Sequence, residues 1–393
     1  MQAHNLAVQL SPGVSRHLAG WLAEHRFPIE RCWLLLYPQA VDHGLAESLR
    51  LQLLDAQTTS QETTSQDIFP SDLDFLTQEM LPIALAPDGL LTIDKARSCC
   101  ERIWSDWHAA RIHDPVLIAI GGGTVMDLAK LVRWLPSNDD CNELQRLEDA
   151  AWFERMFHGH ADFKRCPLIL MPSTSGTGSE ATAYATIWGA GEHREKLSFT
   201  GATCFGDVAL IDYELTLTCP LALTRDCGLD ALSHALDALW NRHANDNDRG
   251  DAIRIASNIV SILPKLLDRL DDASLRKSMS EAALDAGHLI ARTQTSLIHA
   301  LSYPLTSKEN LAHGLACAQW IAAVAGLACK HSPDMLTRLN TIWSMQAKDS
   351  NELEERLCEW LNNMGVVSRW FEKAGVDPRL HDALSQARGK NFL

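Results

Sequence analysis

Pro115-Val116-Leu117-Ile118-Ala119-Ile120 runs straight into Gly121-Gly122-Gly123-Thr124. Six consecutive residues without a polar side chain predict a strand buried on both faces, the condition of a parallel sheet covered by helices. The three glycines predict a tight turn, and residues 125–134 return to helical spacing. Outward from this unit the pattern recurs. Short apolar runs at 32–37, 81–85 and 167–171 predict further strands, with 184–188 and 208–211 supplying the last ones. Helices are predicted over 12–24, 43–56 and 92–108, the last with Ile93, Ala96, Cys100, Ile103 and Trp107 near one face. This alternation predicts a doubly wound, Rossmann-like α/β domain with a parallel sheet. Residues 58–66, which repeat Thr-Thr-Ser-Gln, predict an exposed loop.

The character changes at Thr216. Strand signals thin out, and Ala/Leu periods predict helices over 224–243, 248–270, 273–298, 312–330 and 351–374, with Pro264 starting or kinking a helical turn. The expected organisation is an α/β dinucleotide-binding domain over residues 1–214 and an all-helical metal- and substrate-binding domain over residues 215–393.

At 393 residues the chain is long enough for two cores. Its net charge of -15 argues against a nucleic-acid or anionic-membrane surface, which needs clustered Lys and Arg. No run approaches the roughly 20 apolar residues of a membrane span. The mean hydropathy of -0.11 is that of a globular protein. The 11 Cys form no Cys-x-x-Cys pair, and Met1-Gln2-Ala3-His4 opens no signal peptide, so reduced thiols in the cytoplasm are expected. Cys227 and Cys317 are read as buried packing, against the alternative of metal-adjacent thiols, and Trp240 and Trp320 as core rather than partners of a nicotinamide.

Chemistry concentrates between Cys227 and His313. Asp230 and His234 are four apart in a run of strong helix formers, so a helix stacks them on one face. His299 and His313 bracket a segment with Pro304, which suits ligands from two further helices. One carboxylate and three imidazoles form a divalent-metal set that suits Fe²⁺, Zn²⁺, Co²⁺ or Ni²⁺ alike. Upstream, Gly121-Gly122-Gly123-Thr124 sits between strand and helix, where backbone amides close on a phosphate; it is neither the dinucleotide fingerprint nor a P-loop. A second loop follows the 167–171 strand, with Ser173, Thr174, Ser175, Thr177 and Ser179 around two glycines. Two such loops at one end of a parallel sheet predict a nucleotide.

In this order the motifs resemble the iron-containing (group III) alcohol dehydrogenase family. They are the triple glycine with Thr124, Asp127 and Lys130; Pro-Ser-Thr-Ser-Gly-Thr-Gly-Ser-Glu at 172–180; Asp-Ala-Leu-Ser-His at 230–234; then His299 and His313-Gly314. The resemblance covers roughly residues 115–320. It implies Fe²⁺ held by Asp230, His234, His299 and His313. It implies NADH or NADPH lined by Gly122, Gly123, Thr124, Asp127, Thr174, Thr177, Thr182 and Lys196, with Lys196 near the ribose. A small aldehyde or alcohol substrate and a homo-oligomer, a dimer, also follow from it. Three positions depart from the family pattern. Tyr303 stands where many members carry a second His, Pro38 or Gln39 where a carboxylate favours NAD, and Gly206 where Pro is common. Cofactor preference stays open, and Tyr303 either relays a proton or fills space.

Residues 228–241 and 299–306 are also similar to a narrower branch, the phosphonoacetaldehyde reductases, which implies reduction of phosphonoacetaldehyde to 2-hydroxyethylphosphonate. Lys308, between two ligands, and Arg292, seven before His299, are the cations considered for a phosphonate, against a reading of each as a solvated surface charge. The rivals are reduction of phosphonopyruvate or a semialdehyde, a dehydroquinate synthase-like lyase, a glycerol-phosphate dehydrogenase, and a non-catalytic binding protein.

Overall fold

A computed structural model describes residues 7–29, 32–37, 44–60, 90–109, 114–135, 151–152, 164–189, 196–201, 204–366 and 388–393. It divides into two compact units, one of Met1–Ser173 with Ala183–Leu215, the other of Thr174–Thr182 with Thr216–Leu393. The strands of the first unit are β1 (Ala7–Leu10), β2 (Cys32–Leu36), β3 (Val116–Gly121), β4 (Trp134–Leu135), β5 (Lys164–Arg165), β6 (Leu168–Pro172), β7 (Tyr184–Trp188), β8 (Lys196–Thr200) and β9 (Val208–Ile211). Its helices are α1 (Leu18–Glu24), α2 (Leu45–Ser60), α3 (Ile93–Ala109) and α4 (Gly123–Val132).

Five strands form one sheet in the order β1-β9-β6-β3-β2, every pair parallel. β2, β3 and β6 are buried at every position, which is why they read as unbroken apolar runs. Successive side chains point to opposite faces. Leu34, Ile118 and Ile169 join a core with Leu18 and Leu49 from α1 and α2, whereas Leu35, Leu117 and Leu168 join one with Trp104 and Leu128 from α3 and α4. A helix layer on each face is the doubly wound arrangement the alternation predicts.

Several local expectations are corrected. The 184–188 strand lies outside the main sheet; β7 pairs antiparallel with β8. The sheet's edge position goes instead to β1, which no hydrophobic period announced and which pairs with β9. The helix after the triple glycine stops at Val132, and Trp134 begins β4. α2 continues to Ser60, so 58–60 are helical. Residues 61–66, the 81–85 strand, and Pro38 and Gln39 lie outside the described residues.

The second unit is helical. It contains α5 (Leu221–Leu239), α6 (Asp246–Asp268), α7 (Ala273–Thr293), α8 (Leu297–Lys308), α9 (His313–Ala318), α10 (Ile321–His331), α11 (Met335–Trp343) and α12 (Ser350–Asn363). α5 is buried from Cys227 to Leu239 and packs against α6, α7, α8 and α9, so that Asp230, Ser233, His234 and Asp237 are buried with its apolar residues. The helix predicted over 273–298 ends at Thr293, because Gln294 takes a left-handed φ of 66° and α8 starts afresh at Leu297. Pro264 and Pro304 both lie inside their helices, α6 and α8, rather than ending them. The segment after β6 packs onto this unit at two glycines: a Cβ on Gly178 would lie 2.6 Å from the Gly287 Cα of α7. Among the described residues, no helix is long and apolar enough to cross a membrane.

Candidate metal centre

Asp230 and His234 fall one turn apart on α5, His299 lies in the first turn of α8, and His313 opens α9. All four predicted ligands come together. Asp230 Oδ1 lies 3.6 Å from His234 Nε2, 3.5 Å from His299 Nε2 and 3.7 Å from His313 Nε2. Donors about 2.1 Å from a common tetrahedral centre stand about 3.4 Å apart, so the spacing fits one ion. Asp230 Oδ1 and His299 Nε2 are buried without a hydrogen-bond partner, which a folded protein tolerates only for a purpose. Burial opposes ionisation of Asp230, but the three histidines outweigh it and hold the carboxyl well below its usual range. Burial pushes His234 down to about 4, leaving a neutral imidazole with a lone pair to give.

His313 is the half-buried member of the candidate set, its side chain 33% exposed against 4% for Asp230 and 2% for His299. A centre closed on three sides and open on one has the form of a site that admits a substrate oxygen. Gly314 is what lets α9 approach. A Cβ there would lie 1.8 Å from the Asp226 carbonyl oxygen of α5.

One contributor escapes sequence reasoning. Asp237, fully buried on α5, accepts from His299 Nδ1 at 2.8 Å, from the Ser296 N–H at 2.8 Å, from the Ile298 N–H at 3.1 Å and from Trp240 Nε1 at 3.1 Å. This carboxylate fixes the His299 ring with its proton on Nδ1 and leaves Nε2 free to ligate. The available signal was its place on the Asp230–His234 stripe, seven residues beyond Asp230. Trp240 is core, as expected, and donates to this carboxylate. Cys317, read from sequence as buried packing with a metal-adjacent thiol as the alternative, is fully buried and has its Sγ 3.9 Å from His313 Nε2.

Tyr303 lies one turn after His299 and is half-buried; Lys308 is the exposed last residue of α8. Arg292 is engaged by Asp248 at 3.1 Å and Asp251 at 3.3 Å. Of the residues assigned to the nucleotide, Gly121 ends β3, while Gly122, Gly123 and Thr124 are half-buried where α4 begins. The Ser173 N–H donates to the Gly121 carbonyl at 2.9 Å, so the chain leaves β3 and β6 at the same end of adjacent parallel strands. Asp127 Oδ2 accepts from the Thr186 N–H at 2.8 Å, tying α4 to β7. Thr174 and Thr177 are half-buried in the glycine-containing segment, Thr182 is buried, its hydroxyl turned to the Ser179 carbonyl, and Lys196 starts β8.

A doubly wound sheet unit and a helical unit with an Asp/His₃ centre define the class of molecule. Comparison makes it specific. The family description "Fe-containing alcohol dehydrogenase family, C-terminal" matches residues 224–388 and "Iron-containing alcohol dehydrogenase" matches residues 98–213. The chain belongs to the iron-containing alcohol dehydrogenase family. A phosphonoacetaldehyde reductase of Streptomyces viridochromogenes is 33% identical over 243 residues, covering 60% of this chain and 57% of its own length. A probable alcohol dehydrogenase, EutG, of Salmonella typhimurium is 28% identical, covering 69% of this chain and 66% of its own. The chain thus spans between 57% and 66% of these relatives' own length. The fold is shared with a sulfoacetaldehyde reductase from Bifidobacterium kashiwanohense solved in complex with NAD+, at a TM-score of 0.71 and 20% identity over 98% of this chain and 92% of that one.

Proposed function

We propose that the chain is a metal-dependent NAD(P)H-linked aldehyde reductase, an alcohol dehydrogenase in reverse, and that it reduces phosphonoacetaldehyde to 2-hydroxyethylphosphonate. The observation that carries the reading is the convergence of Asp230 Oδ1 with three imidazole nitrogens at 3.5–3.7 Å. In this reading residues 1–214 take the dinucleotide and residues 215–393 the metal and substrate, in a homodimer in the cytoplasm. Support for the substrate is chemical. The Streptomyces relative and the Bifidobacterium neighbour are named for two-carbon aldehydes bearing a strong anion, a phosphonate and a sulfonate.

A divalent ion in this centre would supply Lewis acidity to a carbonyl oxygen, and a reduced nicotinamide would supply the hydride. The chain's own residues do the rest. Asp230, His234 and His299 close three sides of the centre, and Asp237 keeps the His299 proton on the far nitrogen. The opening beside His313 gives a small aldehyde its way in. Gly121, Gly122, Gly123 and Thr124 present the start of α4 to the dinucleotide phosphates, while Asp127, Thr174, Thr177, Thr182 and Lys196 line the rest. Tyr303 passes a proton to the nascent alcohol or shapes the wall, and Lys308 meets the anionic head group. Lys308→Ala should raise KM for an anionic aldehyde several-fold while leaving a neutral aldehyde unchanged; equal effects on both would remove Lys308 from the substrate site.

The test is oxidation of NADH and of NADPH by protein loaded anaerobically with iron, over phosphonoacetaldehyde, phosphonopyruvate, succinic semialdehyde and lactaldehyde. The highest kcat/KM is expected for phosphonoacetaldehyde. Indifference to the phosphonate withdraws the substrate, and failure to consume cofactor with any aldehyde withdraws the reductase. Cofactor unconsumed in net terms during turnover of a cyclic precursor would point to a lyase.

A further inference from the structure

Five donor side chains, not four, meet at this centre. α5 contributes Asp230 and His234 four residues apart, and α9 contributes His313 and Cys317 at the same spacing, so each helix offers two donors from one face. One ligand atom each from Asp230, His299, His313 and Cys317 lies within 4.8 Å of the others. Opposite donors on a single ion stand about 4.4 Å apart, so shifts of a few tenths of an ångström bring the sulfur into the coordination sphere. Sγ is fully buried and 3.9 Å from His313 Nε2, while Asp230 Oδ1 and His299 Nε2 wait unpartnered in the same pocket.

We propose that Cys317 is a metal ligand of this centre, sharing the ion with Asp230, His299 and His313 and adding a soft donor to an otherwise hard and borderline set. Charge argues for it. A dication held by Asp230 alone leaves one net positive charge in a buried site, whereas a carboxylate and a thiolate together neutralise it and reduce the cost of burial. Ligand softness sets the consequence: sulfur favours zinc and cobalt over iron and manganese, so Cys317 makes the centre more thiophilic than Asp and three His would. The alternative role for a buried cysteine, a small apolar filler, needs no donor atom facing the other ligands.

The inference rests on the reading of the quartet as a metal site, and one experiment separates the two. The full chain is loaded with zinc and, separately, with cobalt; zinc-edge X-ray absorption and the near-ultraviolet spectrum are recorded for wild type, Cys317→Ser and Cys317→Ala. The expected result is a sulfur shell about 2.3 Å from zinc and a sulfur-to-cobalt charge-transfer band in wild type, both lost in the variants. Zinc affinity relative to manganese should also fall by about tenfold in the variants. An ion bound in wild type by nitrogen and oxygen alone, or a charge-transfer band that survives Cys317→Ala, overturns the role of Cys317 and leaves the quartet standing. Wild-type protein that takes up neither metal overturns both. The wild-type spectra decide the matter even where a variant fails to fold.

Discussion

Asp237 does for the proposed metal centre what none of its four candidate ligands can do for itself. It orients His299 and at the same time caps the start of α8 through the Ser296 and Ile298 amides. Asp237→Asn puts an amide N–H against one or more of those donors and removes the charge that sets the His299 tautomer. Metal affinity should fall 10- to 100-fold, the usual cost of losing such a partner, in a chelator competition. An unchanged affinity would show that His299 is oriented by packing alone. Gly314 is decided by backbone rather than chemistry. The methyl of Gly314→Ala would overlap the Asp226 carbonyl, so α9 must shift and carry His313 off Asp230. Loss of bound metal together with a melting point lower by several degrees is expected; full occupancy would mean that α9 can tilt without moving His313.

Between elements, the turn from α7 to α8 is where the centre is most exposed to distant change. Gln294 is held at a φ of 66° there, its carbonyl accepting from Asn241 Nδ2 at 3.2 Å, and the carboxyl-terminal residues complete the clamp. Asn391 Nδ2 donates to the Thr295 carbonyl at 3.0 Å, and the Leu393 N–H to the Trp240 carbonyl at 3.2 Å. Deleting residues 389–393 should free this turn, loosen the amides that Asp237 receives and weaken metal binding several-fold with helix content kept. Isothermal titration of the truncated chain with zinc measures it, and wild-type affinity would cut the link. The turn was not legible in the sequence. A continuous Ala/Leu period ran through 273–298, and the break at Gln294 depends on partners more than 50 residues away. β1 stayed hidden for the opposite reason: a four-residue edge strand with three exposed residues and none buried carries too little hydrophobic pattern to stand out, whereas β2 and β3 are apolar throughout.

Across the whole molecule, the four proposed ligands all belong to the helical unit. Metal present at about 100 times its Kd stabilises the state that binds it by about 2.7 kcal/mol. Chelation should therefore speed amide hydrogen exchange in α5, α8 and α9 while leaving β3 and β6, in the sheet unit, at their original protection. Uniform loss in both units would mean that the two open together.

The buried parallel strands, the helical second half and the pairing of Asp230 with His234 were legible from residues a few positions apart. Long-range packing settles that β7 pairs with β8 outside the main sheet, that Cys317 lies among the proposed ligands, and that Asp237 holds His299 across 62 residues of chain. Local spacing encodes a period or a helix face. Which distant carboxylate or thiol arrives at that face is set by how whole helices pack, and no window of sequence contains it.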